Sequence, residues 1–410
     1  MKNNNPIMIV GVFFALFFMF ADLGVNVAYG VALLTLMLVM VVVRNNYVRF
    51  YVTKDYVLLL ATAIVVVVNL RNFEFVRSNP FYIFAMILTL IVLPFSSGDE
   101  KSKDRLLSMM LCVVSVVATI PIISMIFPDF YSEKILTLLS PEAQSYNLDL
   151  MKYGYSGVVG AYVSLTANYV VIGVAVSVSR YGRGKVKYFL LTIYFILALL
   201  CINRRSEVVA CCFSLVLVLF LKLKKEHKAI ALGLFIFLVV LCMVIISLLK
   251  SKLWTYNGSN RLLLSLSDLL YNKDISNGRN SLYKVAWDLF CEHPLFGVGF
   301  GRFRNEGSRI LSNVTNVHNI YLQLLCEVGV VGSIVIYFAL FILLKRAYSV
   351  FSIENKKGVE QSTGCFAFFM VVYVLTVGIF DNPIFQDTFW LLLSVILFCI
   401  KKNKYAAEDK

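Results

Sequence analysis

Charge is scarce in this chain. Asp, Glu, Lys and Arg make up 15% of its 410 residues, against 60% hydrophobic. A soluble domain carries about a quarter charged residues, so a water-soluble fold is excluded. Mean hydropathy of +0.80 marks an integral membrane protein built as one membrane domain. Cysteine is present but unpatterned. None of the nine forms a C-x-x-C pair, several (Cys112, Cys242, Cys399) lie inside apolar runs, and neither a disulfide framework nor a zinc site is supported. There is no H-E-x-x-H, no paired Asp cluster and no P-loop. No resident metal and no cofactor are expected. Histidine is scarce too, with three residues, which narrows the search for a neutral-pH base.

The net charge of +14 does not point to nucleic acid. The Lys and Arg sit in short loops between apolar runs, as cytoplasmic loops of membrane proteins do. With about 20 apolar residues per crossing, the sequence predicts an all-α, polytopic transmembrane helical bundle of about 12 spans. They fall near 6–22, 25–43, 56–70, 81–95, 107–127, 157–179, 188–203, 208–221, 229–249, 319–344, 363–380 and 388–400. The first reads as an uncleaved helix. Basic residues such as Arg44, Lys101, Arg180, Lys222, Lys345 and Lys401 fall on alternate loops, which places both termini in the cytoplasm. Residues 1–249 then form the N-terminal helices, 250–317 a large outer loop, and 318–410 the C-terminal helices and tail. No internal repeat is evident, which weighs against a transporter of repeated bundles.

Among the arginines that fall on the outer side, against the charge rule, are Arg204, Arg205 and Arg279. The first two occupy a hairpin with few residues for two crossings, so the turn is drawn to or below the interface. A cation there needs a partner. Glu207 or Glu327 would serve, and so would a phosphate, whose oxygens suit the guanidinium fork. Arg279 heads an amphipathic helix, GRNSLYKVAWDLFCEH, in which Leu282, Tyr283, Ala286, Leu289 and Phe290 form one side, expected to face the membrane interface. Pro294 ends it, and Gly297, Gly299 and Gly301 follow.

His227 sits in a basic inner loop and His293 at a helix end. His318 opens the tenth span and borders a polar stripe of Asn319, Gln323 and Glu327, spaced every fourth residue. Such a stripe faces the protein interior. An imidazole there is either a general base or a surface residue bonded to a loop. The outer face has no ATP, so energy for synthesis must arrive in the substrate.

The pattern GR…W…HPLFGVGFGRF…HNIYLQLLCEVGVVG resembles the C-terminal hallmark of the O-antigen ligase and Wzy-type O-antigen polymerase superfamily. The likeness is specific over about residues 278–332. NRRSEVVA is similar, more weakly, to the family's Ser-Arg-small motif, with Arg205 on the Arg and Arg204 where the family often has Ser. The resemblance implies a GT-C-like fold in the bacterial inner membrane and a metal-independent, inverting glycosyl transfer on the periplasmic face. It makes His318 the general base on an acceptor hydroxyl. Arg205 and Arg279, with Arg204 beside them, would hold the pyrophosphate of an undecaprenyl-linked oligosaccharide, and Asn319 and Glu327 would support the site. Membrane lipid and a chain-length regulator protein are the implied partners. The glycine-rich run is more similar to the polymerases than to the ligases that load lipid A–core. A polysaccharide flippase is the more distant alternative.

Overall fold

A computed structural model describes residues 54–70, 82–83, 86–87, 90, 100–152, 155–158, 163–223, 279–311, 314, 316–359, 362–386 and 389–401. Among these residues every regular element is helical. The principal helices are α1 (Lys54–Asn69), α2 (Glu100–Ile126), α3 (Pro141–Lys152), α4 (Val163–Ser179), α5 (Lys185–Ile202) and α6 (Arg205–Lys222). Farther along the chain come α7 (Arg279–Glu292), α8 (Phe303–Gly307), α9 (Ile320–Lys356), α10 (Thr363–Val377) and α11 (Phe389–Ile400). α2, α5 and α9 are long and apolar enough to cross a membrane, and α4 and α10 are shorter apolar helices. The expected spans near 6–22, 25–43 and 229–249, most of that near 81–95, and the part of the outer loop at 250–278 lie outside the described residues.

α10 is the centre of the bundle. Thirteen of its fifteen residues are buried, and it packs on α4, α6, α9 and α11. A helix that is apolar all round belongs in an interior. α4 is likewise buried without interruption from Val170 to Ser179, held between α2, α5 and α10. The two ends of the bundle differ in charge. One gathers basic residues: Lys103 donates to Glu100 and to the Lys401 carbonyl, Arg180 and Arg183 reach Asp104, and Lys222 donates to the Val178 carbonyl. The other end carries Asn203, Arg204, Arg205, His318 and Asp381, at the close of α5 and α10 and the start of α6 and α9. Among the described residues, the expected inner segments thus converge on one end.

The helical stripe of α7 faces protein, not lipid. Leu282, Val285, Ala286 and Leu289 pack with Val298, Phe303, Val314, Val317 and Cys326 in a satellite core. This corrects the expected membrane-facing side. The exposed large apolar groups are Trp287 on the opposite side of α7 and Leu295 and Phe296 just beyond it.

α9 is broken. Gly329 has φ 66° and ψ −172°, so the helical ladder is interrupted there. The freed groups are paired by the glycine-rich run. Val298 N–H donates to the Cys326 carbonyl at 3.0 Å and Gly299 N–H to that of Glu327 at 2.8 Å. In return Val330 N–H donates to the Pro294 carbonyl at 2.8 Å. Glu327, fully buried, accepts from the N–H groups of Gly301 (2.6 Å) and Phe303 (3.1 Å) and from the Gln323 amide (3.0 Å). Buried backbone groups need such partners. The approach is close enough to require glycine on both sides. A Cβ on Gly329 would lie 2.4 Å from the Leu295 carbonyl carbon, and one on Gly297 (φ +63°) 2.4 Å from that of Glu327.

Gly329→Ala therefore combines a positive-φ backbone cost of about 1–3 kcal/mol with a backbone clash that no rotamer relieves. The expected outcome is a lower thermal midpoint and a lower yield of monodisperse protein in detergent. Gly358→Ala, where φ is +63° but a Cβ meets nothing, should cost only the backbone part.

Candidate active site

The α5–α6 hairpin turns on two residues. Asn203 closes α5 in the left-handed conformation (φ 63°), its N–H donating to the Leu200 carbonyl, a position Asn tolerates well. Arg204 is then extended and precedes the first turn of α6. This geometry turns Arg204 inward. Its Nη2 contacts Glu207 Oε1 at 2.9 Å and Asp381 Oδ2 at 2.9 Å, and its Nε donates to Glu207 at 3.0 Å. Ser206 donates to the other Glu207 oxygen at 2.6 Å. Burial alone would weaken the guanidinium's hold on its proton, but Glu207 and Asp381 outweigh it and keep the group charged.

Asp381 belongs to the α10–α11 connection and was not singled out by the sequence. Burial pushes its carboxyl up, yet the His318 imidazole, Arg204 and the Asn382 N–H together hold it below its ordinary value. It is a carboxylate throughout the neutral range. The connection is held along its length. Arg279 Nη1 donates to the Phe380 carbonyl at 2.9 Å, Ile320 N–H to that of Gly378 at 2.8 Å, and Phe385 stacks on Phe300 at 4.7 Å.

His318 precedes α9 instead of opening it. Asn319 is the N-cap, its side chain accepting from Leu322 N–H at 3.0 Å, as Asn does at this position. His318 itself has φ 56°, a conformation uncommon outside glycine. That fold in the chain sets its Nδ1 3.5 Å from Asp381 Oδ1. Nδ1 is buried and makes no hydrogen bond, so the ring's 31% exposure comes from its other atoms.

Arg204, Arg279 and His318 therefore converge on the Phe380–Asp381 segment. Arg205 is the first residue of α6, half-buried beside Arg204. Glu327 is turned to the glycine-rich run and Asn319 to the α9 cap, so both support the frame that carries the imidazole. Of the two acidic partners considered for the arginine pair, Glu207 binds Arg204, and Glu327 is occupied elsewhere.

Residues 189–337 match the family described as O-antigen ligase. The matched stretch runs from α5 through Arg204, Arg205, Arg279 and His318 to beyond the break in α9, and Asp381 lies outside it. This likeness, confined to residues 189–337, is consistent with the O-antigen ligase and Wzy-type superfamily. No curated protein gives a significant match to the chain.

The Asp381 carboxyl titrates below its ordinary value of 3.8. Its contribution to stability is complete above that value and is lost as the pH falls through the folded one. Arg204→Gln leaves Glu207 and Asp381 without their cation. The expected loss is about 3 kcal/mol at pH 7.5, by analogy with other broken buried pairs. Thermal unfolding in detergent should show this deficit shrinking towards pH 5, as the buried Asp381, relieved of its Arg204 contact, takes up a proton.

Proposed function

We propose that the protein is a surface-polysaccharide polymerase of the bacterial inner membrane. It transfers an undecaprenyl-pyrophosphate-linked glycan onto the acceptor sugar of another lipid-linked repeat unit at the periplasmic face. The observation that carries this reading is the imidazole of His318 set 3.5 Å from Asp381, on a segment that Arg204 and Arg279 also hold. The family match over the same arginines and histidine supports glycan transfer. The gathering of basic side chains at the opposite end of the bundle supports the orientation.

The proposed chemistry is a single inverting displacement. The exposed edge of His318 takes the proton of the acceptor hydroxyl as that oxygen attacks the anomeric carbon of the donor. The bond from that carbon to the pyrophosphate oxygen breaks, and its electron pair leaves with the lipid diphosphate. Arg205 and Arg279 meet the charge that develops there. Asp381 is a positioning residue: it faces Nδ1, directs the opposite nitrogen to the acceptor, and offsets the imidazolium charge that forms. Arg204 keeps Asp381 in place instead of binding phosphate. The glycine-rich HPLFGVGFG run favours polymerase over ligase.

His318→Ala at normal protein level should reduce transfer by about 10²–10⁴-fold, the usual share of a general base. In cells, a polymerase predicts loss of long glycan with single repeat units still on core. Loss of every repeat unit from core would instead mark a ligase. Unchanged glycan would remove the enzymatic reading altogether.

A further inference from the structure

The connection that holds Asp381 also carries two carboxamides with unmade hydrogen bonds. Gln386 is the first. Tyr373, buried in α10, donates its hydroxyl to Asn168 Oδ1 on α4. The Asn168 amide then donates from Nδ2 to Gln386 Oε1 at 2.6 Å. A phenol donates most readily to a carbonyl-type oxygen, so the relay has a single sense, and each amide's orientation follows from the one before. The oxygen of Gln386 is therefore turned to Asn168. Its Nε2, with two N–H donors, is turned away, and no acceptor meets it among the described residues. The side chain is only half-buried.

Asn382 is the second. It is 3% exposed, and neither Oδ1 nor Nδ2 of its side chain has a hydrogen-bond partner. Its backbone N–H donates to the Asp381 carboxylate at 2.8 Å, which ties the residue directly to the group beside His318. Leaving both ends of a buried amide unsatisfied is destabilising, and such a group calls for an explanation. A bulk-accessible turn would satisfy it with water, and an apolar side chain would fit the space without that cost.

We infer that the segment 381–386 is a subsite for the acceptor sugar, with Gln386 and Asn382 as specificity-determining residues. This rests on the acceptor role given to His318 above. The ligand class is a sugar with hydroxyl or acetamido oxygens flanking the hydroxyl that is deprotonated. The N–H donors of the two amides match those oxygens, and the shared segment fixes their distance from Asp381. Specificity of this kind is sharp, because an acceptor lacking the oxygen leaves the protein's polar groups unpaired.

The test uses the full-length protein in nanodiscs, with lipid-linked repeat units extracted from a strain lacking it as donor. The acceptor is the repeat-unit oligosaccharide released from its lipid, varied at fixed donor. Gln386→Glu keeps the oxygen that Asn168 binds and removes both donors, so the fold is retained. Asn382→Leu replaces the amide by an apolar group of similar size. Each should raise the acceptor KM by about 3- to 10-fold, the effect of one hydrogen bond, with the donor KM, kcat and pH profile unchanged. An unchanged acceptor KM in both variants overturns the subsite. A fall in kcat with a displaced pH profile overturns it too, since the segment would then serve Asp381 alone. His318→Ala measured alongside separates the two levels of argument. If it is inactive while Gln386→Glu behaves as the parent, only the subsite fails. If His318→Ala retains full activity, the catalytic reading fails first.

Discussion

The organisation of this site depends on how a short piece of chain between α10 and α11 is gripped. Phe380 and Asp381 have no regular structure of their own to hold them. They are fixed by Arg204 from the α5–α6 hairpin, by Arg279 from α7 and by the start of α9 through the Gly378 carbonyl. Farther along, Gln386 is held by Asn168 of α4. Four separate regions thus meet at one segment, and each supplies a polar contact to it. The two arginine contacts are charge-assisted and worth more than the two neutral ones, roughly 1.5–3 kcal/mol each, and all four specify direction. The imidazole of His318 owes its neighbour to that convergence.

The second constraint is mechanical. A continuous α9 would offer no backbone groups to its surroundings. Breaking it at Gly329 frees carbonyls and N–H groups at the point where the glycine-rich run passes, and the two segments pair backbone to backbone. Phe300 N–H is also taken up by the Asn69 carbonyl at the end of α1, and the Phe300 ring stacks on Phe385. The loop thereby connects α1, α9 and the α10–α11 connection. Glycine is required because backbone meets backbone, and any side chain would hold the two apart.

Much of this was legible in the residue pattern. The four-residue spacing of Asn319, Gln323 and Glu327 announced an inward stripe, and Gln323 and Glu327 are indeed buried. Arginine in a tight outer hairpin announced a need for counter-charge, which Glu207 meets three residues on. Asp381 was not legible. It lies 177 residues from Arg204, in a turn with no motif, and a lone Asp before a Pro-containing turn reads as ordinary loop chemistry. The inward face of α7 was misread because an amphipathic stripe has the same period whether lipid or protein covers it. The break at Gly329 was hidden for a related reason: glycine is frequent within transmembrane helices, so its presence in an apolar run does not mark an interruption.

The carboxylate of Glu327 has a bearing on how the chain matures. Isolated in a newly inserted α9, it would face hydrocarbon with no donor nearer than Gln323, which is costly for an acidic group at that depth. Its two backbone donors, at Gly301 and Phe303, lie upstream and so leave the ribosome first. By the time α9 enters the bilayer, the segment that cradles its acid has already been synthesised. Biosynthetic order and the architecture of the finished molecule are therefore matched at this residue.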